Sequence, residues 1–170
     1  MKLPKTFVHG SENINVIIET PKGSANKYTF DPETQLFKLS KILPEGLHFP
    51  LHFGFIPATK GEDGDPLDVL ILMDEPSYPG NHIECKVLGV IEAEQTEKNG
   101  DTMRNDRLIC AAIESHRYGE FMTIKDLDKY LLKEIINFFV TYNKMSNKKF
   151  KVLDNKGPHS AIRLIKKYLQ

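Results

Sequence analysis

The chain contains no tryptophan and only two cysteines, its basic and acidic side chains cancel at 23 each, and no apolar run reaches bilayer-spanning length. Each shortage excludes something. A formal net charge of zero argues against a general nucleic-acid binder, whose affinity rests on surplus positive charge. Cys85 and Cys110 each stand in an apolar run, which predicts two buried free thiols in a reducing compartment and leaves thiol catalysis little support. The opening Met1-Lys2-Leu3-Pro4-Lys5 lacks the apolar core of a secretory signal, so a cytoplasmic location and no membrane partner are expected. No glycine-rich phosphate loop precedes a helix, and no Gly-x-Ser-x-Gly elbow occurs. His48 and His52 are four apart, but Pro50 between them forbids the helical zinc pattern.

What is present points to one soluble domain over residues 1–170. A chain of this length buries roughly two-thirds of its unfolded surface and needs neither metal nor disulfide merely to fold. The net zero hides an asymmetry: residues 1–124 carry 12 basic and 19 acidic side chains, residues 125–170 carry 11 and 4. The C-terminal part is then either a basic wall facing an acidic site or a lysine-coated helical surface.

Apolar, β-branched Ile14–Glu19 reads as a strand ended by Pro21-Lys22-Gly23-Ser24. Lys27–Phe30 and Gln35–Leu39 read as strands turned at Asp31-Pro32, and Leu67–Met73 as a strand covered on both faces. Ile83–Ala93 and Leu108–Ile113 are two more, joined by a polar loop. Between them, His48–Pro57 is aromatic and bounded by prolines; Pro50 and Pro57 exclude a helix and predict irregular structure packed along the core. From Ile124, apolar residues recur at Leu127, Leu131, Ile135, Phe138 and Tyr142, the period of an amphipathic helix, with Thr123 as N-cap and Asp126 in capping-box position. A strand at Phe150–Leu153 and a second helix marked by Ala161, Ile162, Ile165 and Leu169, capped by Ser160, follow. Strands followed by two helices give an α+β fold, a small barrel with flanking helices.

The chemistry concentrates in Glu62-Asp63-Gly64-Asp65-Pro66-Leu67-Asp68-Val69. Three aspartates within six residues oppose one another's ionisation. Solvent offsets that repulsion in an exposed loop; a hard divalent cation offsets it better. Asp68 opens a strand, and Gly64 and Pro66 make a turn able to aim Asp63 and Asp65 at the same point. The spacing is not that of a helix-flanked calcium loop. On the residues alone, a metal site and a solvated acidic turn stay equally open. Asp101 and Asp106 offer further carboxylates, Glu19 ends a strand, and Lys27, Lys41, Arg104 and Arg107 can neutralise phosphate. Tyr142 is either a core-edge aromatic or a hydroxyl donor.

The heptad Asp63-Gly64-Asp65-Pro66-Leu67-Asp68-Val69 resembles the signature of the family I soluble inorganic pyrophosphatases. The resemblance runs through Ile17-Ile18-Glu19, Asn26-Lys27-Tyr28, Phe49-Pro50 to Phe55-Ile56, Pro79-Gly80, Leu88-Gly89-Val90 and Asn137 to Tyr142, nearly the whole chain in order. It implies a distorted, OB-like five-stranded barrel with flanking helices, dependence on magnesium (manganese as a substitute), pyrophosphate as substrate and a homohexamer. It also implies roles: Asp63 and Asp68 ligate activating metals, Asp68 bridging two; Asp65 orients or deprotonates the attacking water. Glu19 contacts metal carried with the substrate, and Lys27 and Tyr142 hold phosphate oxygens.

The chain departs from the family's pattern in its phosphate grip. Thr29 stands where a carboxylate is expected, Lys41 where arginine is, and Phe49 and Phe53 where tyrosines are. Asn143 replaces the lysine after the matched tyrosine, which makes adjacent Lys144 the expected substitute. The loop from Glu94 to Arg107 is remodelled: counting in from its two ends puts Gln95 and Asn105 at the two expected metal-binding aspartates and Arg107 on the expected lysine. Asp106, or failing it Asp101, is the expected replacement carboxylate, with Arg107 facing phosphate. A hydrolase of another phosphoanhydride and a non-catalytic phosphate-binding homologue are the alternatives to a pyrophosphatase.

Overall fold

The computed structural model describes residues 3–170; Met1 and Lys2, part of the segment read above for a secretory signal, lie outside the described residues. In chain order the elements are β1 (Ile14–Thr20), β2 (Asn26–Asp31), β3 (Leu36–Ile42), β4 (His52–Phe55), β5 (Asp68–Leu72), β6 (His82–Thr96), β7 (Thr102–Arg104), β8 (Arg107–Ala112), α1 (Lys129–Met145), β9 (Lys149–Lys156) and α2 (Pro158–Lys167).

Five strands close on themselves. β1 pairs β4, β4 pairs β5, β5 pairs β8, β8 pairs β6, and β6 returns to β1. This ring is the small closed sheet expected of the α+β reading, with β7 and β9 added to β6 and β2–β3 standing apart as a hairpin. Alternation along the strands sends side chains to two apolar clusters. Leu70, Leu72, Ile109 and Ala111 pack with Ile135, Phe138 and Phe139 of α1, while Val69, Ile71, Leu108 and Cys110 pack with Ala161 and Ile165 of α2. β5 is therefore buried on both faces, which accounts for its continuous apolar run. Cys85 and Cys110 are buried free thiols.

The structure corrects four local readings. His52–Phe55 is a regular strand rather than irregular, because the flanking prolines fall outside its four paired residues. Gly54 lets β1 and β4 approach: a Cβ there would lie 2.1 Å from the Ile17 carbonyl oxygen. The first long helix starts later than Ile124. The Thr123–Asp126 box opens only one 3-10 turn, Leu127 is extended, and Asp128 then caps α1 by accepting from the Tyr130 and Leu131 N–H groups. In α2, Pro158 takes the first position, where its missing N–H costs nothing, so Ser160 lies inside the helix rather than capping it. The loop after β6 also forms a hairpin with β7 that the sequence pattern did not disclose. Among the described residues, no helix is long and apolar enough to cross a membrane.

Candidate active site

β5 and β8 run parallel, with Val69 opposite Leu108. The residues that open the two strands, Asp68 and Arg107, therefore meet at one end of the ring, with Arg107 Nη1 2.6 Å from Asp68 Oδ2. The guanidinium is almost wholly buried, lying over the rings of Phe139 and Phe150 at 4.9 and 5.6 Å, and its Nε has no hydrogen-bond partner. Before Asp68 the acidic loop folds on itself. The Asp63 carboxylate accepts from the Asp65 N–H at 3.1 Å, the Gly61 N–H donates to the Asp65 carbonyl at 2.7 Å, and Gly64 takes φ +89°, where a side chain would be strained. Desolvation lifts the Asp63 carboxyl above its ordinary range; the Asp65 N–H opposes this, Asp68 and Asp65 add to it, and Arg107 opposes it.

Glu19 falls at a register shift between β1 and β4, where Ile18 opposes Gly54 and Thr20 opposes Phe53. The bulge leaves Glu19 unpaired in the ladder. Its Oε1 accepts from the Phe30 N–H at 2.7 Å. Burial raises its carboxyl to about 7, with the Phe30 N–H lowering it, Asp68 raising it, Lys27 lowering it and Asp65 raising it. Opposite the acids, Lys27 and Lys41 are directly cross-strand on β2 and β3. Like charges so placed are unfavourable until an anion joins them. Both ammonium groups lie over the Tyr142 ring, at 5.7 and 4.8 Å, and Lys41 also donates to Ser146 Oγ at 2.6 Å.

These groups line one open cavity of about 490 Å³: the acids Glu19, Asp63, Asp65 and Asp68, with Arg107 against Asp68, and Lys27, Lys41 and Tyr142. Thr29 lines it too, whereas Phe49 and Phe53 are buried, so the rings at those positions serve the core. Among the described residues, no three Asp, Glu, His or Cys side chains converge tightly enough to hold an ion unaided.

Asp106, Asp101 and Lys144 are not brought into this cavity. Asp106 Oδ1 accepts from the Ala93 N–H at 2.9 Å and from Arg104 at 2.8 and 3.1 Å, and Asp106 lines a smaller recess with Asp63 and Asp68 rather than the main cavity. Asp101 sits in the exposed β6–β7 turn and accepts from Asn99 at 2.6 Å. The places that counting assigned to carboxylates hold amides: Gln95 and Asn105 both line the cavity, and Asn105 Nδ2 donates to Gln95 Oε1 at 2.9 Å. Arg107 Nη1 donates in turn to Asn105 Oδ1. Lys148, on the turn between α1 and β9, also lines the cavity. Sequence reasoning missed it, because nothing in the pair Lys148-Lys149 separates it from the other lysines of that half.

The family model for inorganic pyrophosphatase matches residues 16–170. The inorganic pyrophosphatase of Synechocystis is 36% identical over 152 residues, covering 89% of this chain and 87% of that protein. That of Thermus thermophilus is 39% identical over 140 residues, covering 82% and 77%. The crystal structure of the Thermus thermophilus inorganic pyrophosphatase superposes with a TM-score of 0.86 at 33% identity, covering 96% of this chain and 92% of that one. The Neisseria gonorrhoeae enzyme gives 0.87 at 30% identity, covering 98% and 95%.

Proposed function

The chain belongs to the inorganic pyrophosphatase family, and from that membership we propose that it hydrolyses pyrophosphate to two orthophosphates with a divalent metal, magnesium or in its place manganese. The observation that carries this reading is the cavity that Glu19, Asp63, Asp65 and Asp68 line together with Lys27, Lys41, Arg107 and Tyr142. The donor set suits a hard cation, since every acid there offers oxygen. Magnesium keeps several waters and needs only one or two carboxylates plus substrate phosphate. Asp63 and Asp68 would hold the activating ions, and Glu19 the ion that arrives with the substrate.

When bound, such ions neutralise phosphate charge and acidify water. The chain does the rest. Lys27, Lys41 and Arg107 draw pyrophosphate oxygens to one wall, and the Tyr142 hydroxyl donates to them. Asp65, free of any cationic partner among the ion pairs of the described residues, takes the proton as water attacks phosphorus. The bridging P–O bond breaks, its electrons stay with the departing phosphate, and no covalent enzyme intermediate forms. Arg107, paired with Asp68 at the rim, would offer its guanidinium to a phosphate oxygen once a metal ion is held by Asp68.

A homo-oligomer, a hexamer, and a cytoplasmic location complete the reading. Neither nucleic acid nor membrane enters it. Orthophosphate release from pyrophosphate, tripolyphosphate and a nucleoside triphosphate in magnesium tests the substrate. Preference for pyrophosphate supports the reading, while preference for either longer anhydride moves the chain to another phosphoanhydride.

A further inference from the structure

The wall carrying Tyr142 contains a cation that neither the family signature nor the sequence pattern marks. α1 ends at Met145, and Asn147 adopts φ +57°, which reverses the chain and lets the Lys148 N–H donate to the Asn143 carbonyl at 2.9 Å. The reversal returns Lys148 to the cavity edge. There its Nζ lies 2.8 and 2.9 Å from the two carboxylate oxygens of Glu97, on the remodelled loop after β6. Glu97 is itself fixed, accepting from Gln95 Nε2 at 2.5 Å. A continuous polar chain therefore runs along the wall: Lys148 to Glu97, Gln95 to Glu97, Asn105 to Gln95, and Arg107 to both Asn105 and Asp68.

Asn143, which follows Tyr142, cannot supply this charge. It is buried, and its Nδ2 is spent on the Phe139 carbonyl at 2.8 Å. We propose that Lys148 is a substrate-binding residue that holds a phosphate oxygen at the outer end of the cavity, with Glu97 as the positioning residue that keeps its ammonium there. An ammonium has three donors and Glu97 engages at most two, which leaves one for the ligand. The Lys148 side chain is one-third exposed, so it reaches substrate without giving up its tether. The remodelled loop thus supplies, in Glu97, the carboxylate that fixes a further cation on the cavity wall, joined to Arg107 through Gln95 and Asn105.

This inference rests on the pyrophosphatase reading, and an equilibrium measurement separates the two. Calorimetric titration with imidodiphosphate in magnesium reads binding without turnover, alongside KM and kcat for pyrophosphate. Lys148→Ala should weaken imidodiphosphate binding and raise KM about tenfold, the scale of one charge-assisted hydrogen bond, with kcat changed less than about threefold. Lys148→Arg should recover most of the affinity, and Glu97→Gln should lose about threefold by loosening the tether. Lys133→Ala, on the exposed side of α1, is the control for unspecific charge. Lys148→Ala binding within twofold of wild type, or Lys133→Ala losing as much, overturns the inference. A wild type that binds imidodiphosphate but releases no orthophosphate defeats the pyrophosphatase reading and leaves Lys148 to be judged by the affinities. A wild type that does not bind it defeats both.

Discussion

Arg107 Nη1 sits 2.6 Å from Asp68 Oδ2 because two parallel strands bring their first residues to the same rim. The arginine is buried against two aromatic rings, whereas the aspartate is partly open to the cavity. The guanidinium therefore neutralises Asp68, one of the two aspartates proposed to hold the activating ions.

If Asp68 holds the activating ions as proposed, Asp68→Asn should leave the fold intact and lower turnover by at least about a hundredfold, since an amide keeps one oxygen but loses the negative charge. Magnesium titration of the same variant should show a much higher half-saturating concentration. Unchanged magnesium dependence would remove Asp68 from the metal site.

Asn105→Asp places a carboxylate beside Asp68, where the chain now carries an amide bonded to Gln95 and Arg107. It should tighten magnesium binding by several-fold, because a carboxylate is the better ligand for a hard cation. Titration of activity with magnesium reads this directly. A weaker response to magnesium would mean that the Arg107 contact, and not ion binding, governs this position.

Asp106→Asn should lower stability by about 1–3 kcal/mol through the loss of a buried charged acceptor for Arg104 and the Ala93 N–H, while the magnesium dependence stays that of wild type. Thermal melts and magnesium titration distinguish this from a ligand role, which would do the reverse.

Glu19 predicts a pH effect of definite sign. Its carboxyl is held at about 7 in the folded chain against an ordinary value of 4.5. The folded state therefore keeps the proton more tightly than the unfolded one. The associated stability is fully present below pH 4.5 and is lost as pH rises through 7, on the order of 3 kcal/mol. Glu19→Gln stays neutral, so without metal its melting temperature should exceed that of wild type by roughly 5–10 °C at pH 8 and match it near pH 4.5. Magnesium should narrow the gap at pH 8 by stabilising the wild-type carboxylate. Equal melting temperatures at pH 8 in chelator would mean that Glu19 pays no burial cost.

The legible part of the site was local. Asp63, Asp65 and Asp68 fall within one turn and one strand start, and Gly64 and Pro66 mark that turn in the sequence itself. The helix was legible by period but not by start, because Thr123 with Asp126 and then Asp128 offer two successive caps and the pattern cannot rank them. β4 was hidden by the prolines flanking four paired residues. The meeting of Asp68 with Arg107 depends on a parallel register between distant strands, and that of Lys148 with Glu97 spans 51 positions. Neither leaves a periodic trace. The partner of Asp106 is hidden for a related reason: the hairpin with β7 turns Arg104 back toward it.

The most direct measurement follows pyrophosphate by phosphorus NMR in oxygen-18 water, with magnesium and then with excess chelator. Magnesium should give two orthophosphates per pyrophosphate, with one labelled oxygen introduced per cleavage in a single turnover, and chelator should stop the reaction. Cleavage that continues unchanged in chelator, or no cleavage in magnesium, would contradict a metal-dependent pyrophosphatase built on Asp63, Asp65 and Asp68.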